Sequence, residues 1–206
     1  MMNQVTDAET ANSRWRWLYK VGSASALVLL LLFLSGVISI LNIVNGWLTP
    51  FLDNWLVVLF KVNAGFSGAQ LGLTSFNLLD LFIMALFSVM FLALYFTLRR
   101  TSKSWSLVGA AFPFMGIPVF LITGTAGRSA LLIGALIMSV GTLRSKFFGK
   151  VNAYVGILAS VLLFFAGDIA TVVFSTSNII AIFIGTGYVL WMVWFFQIAR
   201  RLFQLR

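Results

Sequence analysis

The stretch NLLDLFIMALFSVMFLALYFTLRR, Asn77–Arg100, decides the fold. It opens on Asp80, runs without a charge from Leu81 to Leu98, and closes on Arg99 and Arg100. A helix needs about 20 apolar residues to cross the hydrocarbon core. A barrel strand would alternate apolar and polar residues instead. Lys and Arg are retained on the cytoplasmic side of a bilayer. The stretch therefore predicts a transmembrane helix whose Arg end lies inside.

Five further segments read the same way, giving spans over residues 21–44, 77–98, 104–123, 128–143, 151–174 and 178–199. The fourth is the shortest and becomes long enough if its helix begins near Gly124. Twelve of the 14 Lys and Arg residues fall in four clusters at the ends of these spans. The clusters are Arg14, Arg16 and Lys20; Arg99, Arg100 and Lys103; Arg144, Lys146 and Lys150; and Arg200, Arg201 and Arg206. With the N-terminus inside, six crossings place every cluster inside and leave only Lys61 and Arg128 outside. A seventh crossing before residue 99 would reverse that bias. The fold expected is an all-α bundle of six transmembrane helices in one domain, both termini cytoplasmic, in a cell membrane of bacterial inner-membrane type.

Composition agrees. Of 206 residues, 61% are hydrophobic and 9% charged, where a soluble domain is about a quarter charged. The net charge of +9 does not point to nucleic acid, because the basic residues form no continuous stripe. The lipid bilayer is the partner expected, with a membrane-protein partner or a second copy of the chain beside it. The chain has no Cys and no His. That excludes disulfides, thiol chemistry, Ser-His and Cys-His nucleophiles, and His- or Cys-ligated haem and zinc. No cofactor, metal or catalytic residue is expected. Only Asp7, Glu9, Asp53, Asp80 and Asp168 remain for carboxylate chemistry.

The connections are short except one. Residues 1–20 read as a polar cytoplasmic tail rather than a cleavable signal. Trp15, Trp17 and Tyr19 alternate there with basic residues as a headgroup anchor. The outer loop 45–76 contains an apolar segment, Thr49–Val62, with Pro50 at a first helical position. As a helix it would be about 21 Å long, too short to span, so it is expected to lie at the interface or re-enter. Small residues four apart, Ala130 with Gly134, Ala135 with Ser139, Gly156 with Ser160 and Ala181 with Gly185, suit close helix contacts in lipid. Pro113 and Pro118 should bend the third helix. Trp191 and Trp194, with Trp47, Trp55 and Trp105, read as interfacial belts. Val-Gly pairs at 21–22, 108–109 and 155–156 hint at three hairpin repeats, although topology signals alone produce much of this pattern.

Polar intrusions gather in the outer leaflet. Asp80 lies one turn into the second span, and Asp168 about 9 Å into the fifth by helical rise. Arg128 opens the fourth span on the same side, and Asn42, Asn45, Asn77 and Asn178 mark outer ends. A lone Asp mid-membrane costs roughly 2.5–3.5 kcal/mol on insertion scales, so such residues are functional candidates. Asp80, Asp168, Arg128, Asn42 and Asn178 make one candidate set: an outward polar pocket for a cation, a proton or an anion. The plain alternative is an ion pair of Arg128 with Asp168 or Asp80 that locks helices together. Asp80 could also simply favour its helix through the dipole. Two Asp on neighbouring helices also suggest an intramembrane aspartyl protease, but Phe165-Ala166-Gly167-Asp168 lacks the first Gly of that motif and Leu79-Asp80 replaces its Tyr-Asp.

The stretch Asn77–Gly116 carries Asp80, Ala93-Leu94-Tyr95, Leu98-Arg99-Arg100 and Ser104-Trp105-Ser106-Leu107. With Gly187-Tyr188-Val189-Leu190-Trp191 it resembles a family of small six-helix bacterial membrane proteins known as a domain of unknown function. The resemblance implies location and helix count and supplies no catalytic residues to carry over. It departs at the C-terminal helix, where an acidic residue is expected before the Leu-Trp and Tyr188 stands instead. Three functions fit these residues: a non-enzymatic protein with a binding or sensing surface on the outer face, a small transporter or channel with an outward polar pocket, and a carboxylate-dependent intramembrane enzyme.

Overall fold

The computed structural model describes residues 15–45, 78–99, 101, 103–123, 126–145, 147–166 and 178–205. They form six helices: α1 Arg16–Asn45, α2 Leu78–Leu98, α3 Lys103–Thr123, α4 Ala126–Leu143, α5 Lys150–Leu163 and α6 Asn178–Gln204. A π turn, Phe164–Ala166, continues α5. Four helices, α1, α2, α3 and α6, are long and apolar enough to cross a membrane, and α4 and α5 are shorter apolar helices. This is an all-helical membrane protein. The segment expected to lie at the interface, residues 49–62, is outside the described residues.

Two boundaries lie five residues beyond the sequence reading. Helix α1 begins at Arg16 rather than after residue 20, and α6 runs to Gln204 rather than residue 199. Lys and Arg are good helix formers, and apolar packing continues past the basic residues. Leu18 and Tyr19 on α1 and Leu202 on α6 are buried. Arg16, Lys20, Arg200 and Arg201 therefore lie within helices α1 and α6.

Each helix packs on the next in the chain, and α6 closes back on α1, so the six form a ring; α2 also touches α4 across it. Close approaches fix the antiparallel register. Gly22 on α1 abuts Ala93 on α2. On α3 and α4, Gly109 and Gly116 face Gly134 and Gly127: a β-carbon at residue 134 would lie 3.1 Å from the Gly109 carbonyl oxygen, and one at 127 would lie 2.6 Å from that of Gly116. Glycine here lets two backbones meet. The Gly109 carbonyl is also the one that Pro113, lacking an N–H, cannot bond. Helix α3 continues through Pro113 and Pro118.

Aromatic side chains fill the middle. Phe33 of α1 and Phe87 and Phe91 of α2 meet Trp191, Trp194 and Phe195 of α6, with ring centroids 5.3–6.4 Å apart. In lipid, burial against protein gains little over burial against acyl chains, so packing and ring geometry must hold the helices. Edge-to-face pairs add about 0.5–1.5 kcal/mol each. This corrects the belt reading for Trp191 and Trp194: they are 4% and 0% exposed and belong to the core. They share an α6 stripe with Phe195, Ile198 and Leu202 that faces into the ring. Trp105, half exposed, remains consistent with a belt. At Gly185 a β-carbon would meet nothing within 4 Å among the described residues. Outward faces expose Leu31, Met115, Ile122 and Ile182, as suits a lipid solvent.

Candidate functional sites at the two ends of the bundle

The alternating helices bring Arg16, Lys20, Arg99, Lys103, Arg144, Lys150, Arg200 and Arg201 to one end and Asp80 and Arg128 to the other. Asp80 is the only carboxylate among the described residues. It is the third residue of α2, half-buried, and Arg128 is the third residue of α4, exposed. Met84, one turn below Asp80, lies where a β-carbon at Gly127 would come 2.9 Å from its methyl. The starts of α2 and α4 therefore lie near one another, and the Arg128 charge acts on Asp80.

The two charges are placed differently with respect to their helices. An acid in a first turn complements the helix dipole, whereas a cation there opposes it. Asp80 thus has a local reason for its position. Arg128 has none on its own helix; the acid at the same end of the bundle is Asp80. Of the other candidate residues, Asn42 lies near the end of α1 and Asn178 opens α6, both at this same end by backbone placement. Asp168 lies outside the described residues, so the pairing of Asp80 or Arg128 with it has no geometry here.

A second polar locus lies inside the ring. Buried hydroxyls in membrane helices usually bond a carbonyl one turn back. Ser88 donates to the Met84 carbonyl (2.9 Å), Thr97 to Ala93 (3.0 Å) and Thr142 to Ser139 (2.7 Å). The hydroxyls of Ser139 and Ser160, the Asn152 amide and the indole nitrogens of Trp191 and Trp194 are buried without such a partner. Asn152, Gly156 and Ser160 form one stripe of α5, spaced by four. Ser139 Oγ of α4 and Trp194 Nε1 of α6 both close on Gly156. The spacing of this stripe was legible, but Gly156 with Ser160 read only as packing, and nothing in the sequence tied Ser139 and Trp194 to it.

A third feature is a groove at the basic end, between the first turn of α5 and the last turns of α6. Its lining includes Asn152, Val193, Phe196, Gln197, Arg200 and Arg201. The sequence reading assigned these arginines to topology alone. Compared with known proteins, the chain matches no family, no curated relative and no solved structure.

Proposed function

We propose that this chain is a non-enzymatic membrane protein of six spans, both termini cytoplasmic, that acts by binding at its outer end. The Asp80–Arg128 couple carries the reading: an acid and an exposed cation held at the end opposite the basic clusters. A bundle whose middle is filled by aromatic rings favours binding over a central pore. Six spans are supported by the closed ring, in which α4 and α5 lie beside the four longer helices. The resemblance to small six-helix bacterial proteins points the same way. Retention of Lys and Arg inside supports the threading.

The absence of cysteine makes the threading directly testable. Thr123→Cys, at the end of α3, should react with a membrane-impermeant maleimide added to intact cells. Thr101→Cys, in the α2–α3 turn, should react only after permeabilisation. The opposite pattern would overturn the orientation and, with it, the outer binding surface.

The buried unpartnered groups of Ser139, Asn152, Ser160, Trp191 and Trp194 favour a second reading, a small transporter, because polar groups inside membranes mark substrate pathways. Proteoliposomes separate the two. The binding reading expects proton and cation flux no greater than in protein-free vesicles. Flux that disappears in Asp168→Asn, with folding intact, would replace it with the transporter.

A further inference from the structure

The groove at the basic end has a volume of about 450 Å³. Its walls, Val151, Val193 and Phe196, are apolar and open outward from the bundle. Its rim is cationic: Arg200 and Arg201 are exposed, and Lys150 stands beside it as the first residue of α5. Arg201 donates to Gln204 Oε1 (3.2 Å), which leaves most of its guanidinium N–H groups available. The only carboxylate among the described residues, Asp80, sits at the opposite end.

Two more observations concern the floor. Gly149 is the N-cap of α5, in extended backbone and without a side-chain cap. The first amides of α5 therefore lack a side-chain acceptor, and such a helix start receives phosphate oxygens well. Asn152, one turn on, is only 4% exposed, and both its amide oxygen and its amide nitrogen are unpartnered. An occupant must offer an anion at the rim and at the start of α5 and a hydrocarbon tail along the walls. An acidic peptide or a free anion would leave the apolar walls bare.

We propose that this groove binds a phospholipid with an anionic headgroup, its phosphate between Arg200, Arg201 and the start of α5, and an acyl chain along Val193 and Phe196. Arginine suits the phosphate because its planar fork can bond two oxygens at once. The site is separate from the outer-end surface proposed above. It requires only that the basic end lie at headgroup level, on whichever side of the bilayer.

Native mass spectrometry of the full chain in neutral detergent tests it, with phosphatidylglycerol, phosphatidylcholine and inorganic phosphate as separate additions. Phosphatidylglycerol should remain bound at lower concentration than phosphatidylcholine. Arg200→Gln should weaken it roughly fivefold, the effect of one basic residue at a charged surface. Gly149→Asp should abolish the preference between the two lipids. Because a β-carbon there would meet nothing within 4 Å among the described residues and Asp is a favourable N-cap, that variant should fold at least as well as the parent. If Gly149→Asp misfolds, Arg200→Gln at its exposed position still decides. Equal retention of both lipids by the unmodified chain, unchanged phosphatidylglycerol binding in Arg200→Gln, or binding of inorganic phosphate without phosphatidylglycerol would each overturn the proposal.

Discussion

The indole nitrogen of Trp194 on α6 occupies the space that a β-carbon on Gly156 of α5 would need. Ser139 of α4 closes on the same point, so three helices meet at one glycine. The indole cannot easily give way, because Phe91 and Phe195 pack against it at 6.3 and 5.7 Å. Gly156→Ala should therefore cost about 1–3 kcal/mol, the range for overpacking a filled core. Thermal unfolding in detergent measures this. Combining it with Trp194→Phe, which removes the indole nitrogen's ring, should recover part of the loss. An unchanged midpoint in Gly156→Ala would mean that α5 and α6 do not approach this closely.

Two other glycines give opposite expectations from the same reasoning. A β-carbon at Gly127 would press on Phe120, on the Gly116 carbonyl and on the Met84 methyl, whereas one at Gly185 would touch nothing among the described residues. Gly127→Ala should separate α3 from α4 and lower stability by about 1–3 kcal/mol. Gly185→Ala should raise it by about 0.5–1 kcal/mol, since Ala is the better helix former. Comparing the two midpoints in one detergent removes differences in conditions. Equal effects would show that helix propensity, not contact, governs both sites.

Charge and hydropathy made the helices readable from Asn77–Arg100 outward, because lipid demands long apolar runs and basic ends. They could not reveal where those runs extend. Arg16, Arg200 and Arg201 read as the edges of the spans but lie within helices, since Leu18, Tyr19 and Leu202 still have partners to pack on. Nor could they reveal which face of a helix turns inward. In a helix that is apolar all round, the core face leaves little periodic signal. Trp191 and Trp194 therefore read as interfacial when they are central. Asp80 and Arg128 were legible as candidates because intramembrane charge is rare. Asn152 was not, because an amide near a basic cluster looks like headgroup chemistry until its burial is known.

The couple between Asp80 and Arg128 should prove weak and sensitive to salt. Arg128 is exposed, Asp80 is half-buried, and no ion pair joins them among the described residues. Exposed pairs contribute about 1 kcal/mol or less. A double-mutant cycle with Asp80→Asn and Arg128→Gln should give a coupling in that range, shrinking as ionic strength rises. This outcome leaves both groups available to a ligand. A coupling of several kcal/mol that ignores salt would instead make them a locked pair and remove the outer binding surface from consideration.

At the basic end, Arg99 joins the start of α1 to the end of α2. Trp15 stacks on Phe96 with centroids 4.1 Å apart, and the Arg99 guanidinium lies 4.7 Å from the Phe96 ring and 5.9 Å from that of Trp15. A cation over an aromatic face contributes about 0.5–1 kcal/mol at a partly exposed site. Arg99→Gln should lose that amount, and Arg99→Lys less, because a lysine keeps the charge without the stacking plane. Trp15 fluorescence, isolated by subtracting the spectrum of Trp15→Phe, should shift in Arg99→Gln as the ring loses its cover. Arg100 and Lys103 still mark this end for topology, so the effect reports on packing rather than orientation. A variant with unchanged stability and unchanged emission would show that the arginine serves topology alone.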